Sequence, residues 1–96
     1  MRTATPITST IFEQLGGNKF VAMTGAKLRY YEEEKELVVF FKGRRKIDAL
    51  SIILEPTDLY TMVFTKNGIL ARRFENVSCD MLQEIFTDVT GLATRL

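Results

Sequence analysis

The stretch Leu37-Val38-Val39-Phe40-Phe41 decides the fold of this chain. Four of its five residues are β-branched or aromatic, and charged residues flank it on both sides. The run is too short for a helix and therefore predicts a strand. Because successive strand side chains point to opposite faces of a sheet, Leu37, Val39 and Phe41 share one face, and Val38 and Phe40 share the other. Both faces of this strand are apolar, so both must be shielded from water by other residues.

Helical patterns lie near both ends of the chain. In the N-terminal part, Thr8 or Ser9 is suited to cap a short helix, which the pair Gly16-Gly17 ends. In the C-terminal part, Ser78 is a suitable cap and Gly91 follows the last helical position. The apolar residues between them recur at helical spacing, namely Leu82, Ile85, Phe86 and Val89.

The segments between the two helices have strand-like patterns. The segment from Lys19 to Tyr31, punctuated by Gly25, predicts two strands or one bent strand, and residues 47–54 predict another. Asn67-Gly68 between two β-rich runs is typical of a two-residue hairpin. Its geometry pairs the following residues across the turn: Lys66 with Ile69, Phe64 with Ala71, and Met62 with Arg73.

The sequence therefore predicts an α+β fold, with a short N-terminal helix, a five- or six-stranded mostly antiparallel meander sheet and a C-terminal amphipathic helix. Its 96 residues suit a single domain, in which we expect residues 1–6 to be flexible. Two short helices cover about one face of such a sheet. The other face must curl on itself or be buried against another molecule, for example in a two-fold homodimer through Val38 and Phe40.

Composition narrows the classes of function. The net charge of +1 provides no overall attraction to nucleic acid or to an anionic membrane. No apolar run has the length of a membrane span and the first residues lack the apolar core of a signal peptide, so we expect a cytoplasmic protein. The chain has no histidine and one cysteine, Cys79, so no acid, base and nucleophile set can be assembled. We therefore expect no enzyme activity, no cofactor and no bound metal.

Two stretches resemble a known family of proteins. LGGNKFVAMTGAK at positions 15–27, together with MLQEIFT at 81–87 and Thr90-Gly91-Leu92, is similar to small proteins encoded by bacteriophages and related mobile elements. The resemblance implies the cytoplasm of a bacterial host as the place of action. Because no activity is assigned to that family, it implies no site residue.

Protein binding is the first of two functional hypotheses. Acidic and basic residues are segregated along the chain, which favours electrostatic docking to a protein, such as a host protein that a phage effector or inhibitor binds. Asp80, Glu84 and Asp88 recur every four residues, and this like-charged row is suited to a basic partner. Val38 and Phe40 are the apolar contact candidates.

Binding of single-stranded nucleic acid is the alternative. Lys27, Arg29 and Tyr31 alternate along one strand and would place two cations beside an aromatic ring on a sheet face. A basic connection after the central strand would add phosphate contacts, and Arg72 would extend it. The candidates in this connection are Lys42, Arg44, Arg45 and Lys46.

Two further features have structural interpretations. Cys79 precedes Leu82 and Phe86 by three and seven residues, so we expect it on the packed side of the last helix. The cluster Glu32–Glu36 lacks the spacing of a calcium-binding loop and predicts a solvated turn.

Overall fold

The computed structural model describes residues 7–42 and 47–92. The expected flexibility of residues 1–6 therefore lies outside the described residues. The same holds for three of the basic candidates, Arg44, Arg45 and Lys46.

Five antiparallel strands form one meander sheet in the described part of the chain. The strands are β1 (Lys27–Tyr31), β2 (Glu36–Phe40), β3 (Ala49–Leu54), β4 (Tyr60–Lys66) and β5 (Ile69–Val77). Each pairs with the strand that follows it, so that β2, β3 and β4 are central and β1 and β5 are the edges. The predicted α+β class is confirmed, and in the described residues the sheet has five strands, the smaller of the two predicted numbers.

Three α-helices accompany the sheet: α1 (Ile7–Leu15), α2 (Gly17–Thr24) and α3 (Leu82–Thr90). A short 3₁₀ turn, Cys79–Met81, leads into α3. The predicted C-terminal ends of α1 and α3 are confirmed: α1 stops at Leu15, and α3 is followed by Gly91, which is left-handed and donates its N–H to Thr87 O at 2.9 Å. The predicted caps are wrong, because Thr8 and Ser9 lie inside α1, and Ser78 precedes the 3₁₀ turn without a capping hydrogen bond from its side chain.

The segment Lys19–Thr24 is helical, so its prediction as a strand is wrong. Gly16 and Gly17, with φ of 131° and 60°, redirect the chain so that a second helix begins immediately. Gly25 closes this helix in a left-handed conformation and donates its N–H to Val21 O at 2.8 Å. Phe20 is fully buried, and its ring lies 4.9 Å from that of Phe86, centroid to centroid. Tertiary burial of one helical side thus outweighs the strand-like run of apolar residues.

The buried apolar residues form a single core between one face of the sheet and the helices. Phe86 of α3 is at its centre and makes edge-to-face contacts with Phe20 of α2 and with Phe41, which follows β2 (5.2 Å). Residues 15–27 and 81–87 therefore meet in the core through Phe20 and Phe86.

The hairpin between β4 and β5 contains the predicted turn but not the predicted register. Asn67 and Gly68 have φ of 51° and 81°, and Lys66 pairs with Ile69, as the two-residue turn requires. Beyond that pair, an extra residue at Ala71 shifts the register, so that Phe64 faces Arg72. The predicted pairings Phe64–Ala71 and Met62–Arg73 are therefore wrong.

The bulge also reverses the orientation of β5. Phe74 lies on the core side, with its ring 6.0 Å from that of Phe64. A second irregularity contains Asn76, at φ 58°, and restores the buried position of Val77 opposite Tyr60. Ile69 and Ala71 are exposed and are not part of the buried core.

Glu32, in the acidic turn between β1 and β2, caps the start of α1. Its carboxylate accepts hydrogen bonds from the N–H of Ile7 (2.6 Å), the N–H of Thr8 (3.1 Å) and the hydroxyl of Thr8 (2.6 Å). These bonds, the Thr8 hydroxyl foremost, lower the pKa of Glu32 below its ordinary value. The turn is exposed as predicted, but this carboxylate has a structural role that the sequence did not indicate.

Candidate binding surface

The helices cover only one face of the sheet. In antiparallel strands, directly paired residues share a face, so the register defines two sets of side chains. The inner face carries residues that are buried under the helices, including Leu37, Val39, Leu50, Ile52, Met62 and Phe64. The outer face is defined here by the residues that alternate with them: Lys27, Arg29, Tyr31, Glu36, Val38, Phe40, Ala49, Ser51, Ile53, Thr61, Val63, Thr65, Leu70 and Arg73.

The outer face is ordered in three rows that cross the strands. The first row is Lys27, Phe40, Ala49, Thr65 and Leu70. The middle row is Arg29, Val38, Ser51, Val63 and Arg73. The third row is Tyr31, Glu36, Ile53 and Thr61. The two candidate sets that the sequence kept apart, Val38 with Phe40 and Lys27 with Arg29 and Tyr31, therefore lie on one surface.

This surface has an apolar centre and charged edges. Phe40 is 43% exposed and Tyr31 is 42% exposed, while Val38, Ile53 and Val63 are half-buried. Lys27 and Arg29 lie on the edge strand β1. Arg73, on the opposite edge, donates from Nε to Glu75 Oε2 at 2.8 Å. An apolar centre with a polar rim is the usual anatomy of a protein-binding surface.

The basic end of the outer face is at the start of β1. Lys27, Phe40 and Lys42 border the same shallow depression beside Gly25. A second depression runs along β1 and is bordered by Lys27, Arg29, Tyr30, Tyr31 and Phe40. The structure thus brings Lys42 together with the β1 candidates.

The remaining nucleic-acid candidate, Arg72, is on the other side of the sheet. It pairs with the buried Phe64, and its guanidinium carbon lies 5.0 Å from the centroid of the Phe74 ring. The bulge at Ala71 causes this orientation. Arg72 therefore cannot extend the basic end of the outer face.

The acidic candidates Asp80, Glu84 and Asp88 are exposed on the helical side of the molecule. Asp80 lies in the 3₁₀ turn, whereas Glu84 and Asp88 lie in α3, which begins at Leu82. Asp80 accepts a hydrogen bond from the Ser78 hydroxyl at 2.5 Å. The structure separates these acidic residues from the outer face.

Cys79 is exposed, so the prediction that it packs on the core side is wrong. The 3₁₀ turn rotates it away from the helical phase on which that prediction depended. Nearby, Tyr60 donates its hydroxyl to Gln14 Oε1 at 2.6 Å, and burial, followed by the charge of the Cys79 thiolate, raises the pKa of Tyr60.

In residues 7–42 and 47–92, no group of three acidic or cysteine side chains is placed to hold a metal ion. In the same residues, no helix combines the length and apolar character that crossing a membrane requires.

Several outer-face residues were not candidates from the sequence, namely Glu36, Ile53, Val63, Leu70 and Arg73. The position of Glu36 could have been found, because a four-residue turn from Glu32 to Lys35 pairs it with Tyr31. The same holds for Leu70, because the two-residue turn pairs it with Thr65. Arg73 could not have been found, since its orientation depends on the bulge at Ala71.

Comparisons with known proteins identify no relative of this chain. Neither the protein families, the curated proteins nor the solved structures contain a match.

Proposed function

We propose that this chain is a non-enzymatic protein-binding module that acts through the outer face of its sheet. The observation that carries the proposal is the combination of a sheet face that the described helices leave open, an apolar centre around Val38 and Phe40, and charges at its edges. Burial of Phe40 and its half-buried neighbours would supply the affinity. Lys27 and Arg29 at the edge would orient the partner.

The resemblance to phage proteins suggests that the partner is a protein of a bacterial host. A small protein of this kind, without an assembled set of catalytic groups, suits an effector or inhibitor that docks on a protein of the bacterial host. We propose the host cytoplasm as its location on the same basis.

The test is affinity capture from a lysate of the bacterium that carries the gene, with Phe40→Thr as the variant. Threonine is a good strand residue, so the sheet should persist while the exposed ring is lost. Met81→Gln is the matched control, because Met81 is 42% exposed but lies in the 3₁₀ turn, away from the outer face. We expect proteins that the native chain and the Met81→Gln variant capture but the Phe40→Thr variant does not. An identical set for all three would refute the proposal.

Single-stranded nucleic acid is the second candidate partner. Phe40 pairs directly with Lys27 and thus adds a second exposed ring to the face that carries Arg29 and Tyr31. Exposed rings beside cations on an open sheet can stack bases and hold phosphates. Glu36 lies on the same face next to Tyr31 and would repel phosphates there, which is why we prefer a protein partner. Titration of a fluorescent single-stranded oligonucleotide with the chain distinguishes the two candidate partners, because only a nucleic-acid-binding chain would bind it.

A further inference from the structure

We infer that an extended segment of a partner protein, with acidic residues at alternate positions, binds as an additional strand along the free edge of β1. The inference goes beyond the proposed function, because it concerns the backbone edge of the sheet and not its outer face. In the described residues, β1 pairs with β2 on one side and with no strand on the other. Extended peptides bind proteins in this way where an edge strand has unpaired N–H and C=O groups.

Of the two edge strands, β1 is the better suited to accept another strand. Its pairing with β2 is regular over the whole of Lys27–Tyr31, which contains neither proline nor a bulge. In an antiparallel pair, alternate residues direct their N–H and C=O groups to the partner strand, so the residues between them direct theirs outward. The opposite edge, β5, is irregular at Ala71 and Asn76, and such irregularities are a common way of blocking an edge.

The cations of β1 determine which segment can bind. Lys27 and Arg29 are exposed, and their neighbours on β2 are the uncharged Phe40 and Val38. Within the described residues, neither cation forms an ion pair. Acidic residues of an added strand, directly opposite Lys27 and Arg29, would form cross-strand ion pairs with them.

The other side chains of β1 select apolar residues between the acidic ones. Leu28 is half-buried against the core, and Tyr30 is 52% exposed. Both lie on the inner face, because they pair with the buried Val39 and Leu37. Apolar residues opposite them would cover the Tyr30 ring. The recognised segment therefore alternates acidic and apolar residues.

A second copy of β1 fits this edge poorly. Antiparallel pairing about a two-fold axis at Arg29 places the two Arg29 side chains opposite each other. Pairing centred on Leu28 instead places Lys27 opposite Arg29 twice. Like charges directly opposite each other are destabilising, so the edge favours an acidic segment of another protein.

The test is a fluorescence anisotropy titration of the labelled peptide Thr-Val-Glu-Val-Glu-Val-Thr with the native chain at low salt. In antiparallel pairing, its glutamates lie opposite Arg29 and Lys27. One control peptide has lysine in place of glutamate. The other is methylated on all backbone nitrogens and keeps the charges without the N–H donors. We expect saturable binding of the acidic peptide and at least about tenfold weaker binding of both controls.

Charge reversal on the edge provides a second measurement. The variant Lys27→Glu with Arg29→Glu should bind the lysine peptide more tightly than the acidic one. Arg72→Glu with Arg73→Glu is the matched control, because it changes the net charge equally on the opposite edge strand and should keep the native preference. Circular dichroism confirms that both variants are folded, and the peptide comparison on the native chain does not depend on them.

The outcomes separate this inference from the proposed function. No saturable binding of the acidic peptide, or equal binding of the methylated one, would overturn strand addition at β1. If Phe40→Thr nevertheless abolishes capture of host proteins, the outer face remains a protein-binding surface. If the acidic peptide binds as expected but Phe40→Thr leaves capture unchanged, β1 binds an acidic strand and the proposed function of the outer face is wrong.

Discussion

Replacing Phe86 by leucine tests the packing of α2 against α3 in the core. Phe86 is fully buried and makes edge-to-face contacts with Phe20 at 4.9 Å and Phe41 at 5.2 Å. Each such pair contributes about 0.5–1.5 kcal/mol beyond burial of its area, so Phe86→Leu should lower the free energy of unfolding by about 1–3 kcal/mol. A chain of this size has about 5–15 kcal/mol in total, so the variant should still fold.

Urea unfolding followed by circular dichroism measures this change. With a slope of about 1–2 kcal/mol per molar urea, the midpoint should fall by about 0.5–3 M. Ile69→Thr is the control, because Ile69 is 73% exposed at the tip of the hairpin and its replacement should change the free energy of unfolding by about 0.5 kcal/mol or less. A Phe86→Leu midpoint as close to native as that of the control would refute the proposed packing of α2 against α3.

Three further predictions concern the turn, the helix cap and nucleic acid. Gly68→Val should destabilise the domain by about 1 kcal/mol or more, because Gly68 has a φ of 81°; an unchanged melting midpoint would contradict the turn geometry. Glu32→Gln should lower the melting temperature at neutral pH, whereas Glu33→Gln in the same turn should not. The pKa of Glu32 is lowered in the folded state, so its carboxylate stabilises the fold fully at pH values above its ordinary pKa. This stabilisation is lost as the pH falls through the lowered pKa. The melting temperatures of the native chain and Glu32→Gln should therefore converge at that pH. If the basic end binds single strands, the log–log slope of affinity against salt should be roughly −2 to −3; absence of binding at low salt would exclude this partner.

The strand pattern of the sequence identified most of the sheet correctly. Period-two alternation placed Leu37, Val39 and Phe41 in the core and left Phe40 outside it, and the Asn67-Gly68 signature located the hairpin. These features depend on local rules, namely the pleat of a strand and the backbone geometry of a two-residue turn. They can therefore be predicted from short stretches of sequence.

The errors arise where distant residues decide the local structure. The run around Phe20 suits a strand, but it becomes helical because its ring packs on Phe86, 66 positions away in sequence. Bulges reverse β5 without a clear sequence signal, which moved Arg72 from the predicted surface to the core side. The 3₁₀ turn acted in the opposite sense on Cys79, which is exposed instead of lying on the predicted core side. The register between β1 and β2 places the protein-binding candidates Val38 and Phe40 on the same face as the nucleic-acid candidates of β1.

The central claim is that the outer face of the sheet is a protein-binding surface, and its most direct test is a nuclear magnetic resonance titration of the native chain with a protein that it captures from the host lysate. Amide resonances are compared before and after that protein is added, so that the contacted surface is mapped residue by residue. We expect shifts at Val38, Phe40, Ser51 and Val63, and constant resonances in α3. Shifts confined to the helices would contradict the claim.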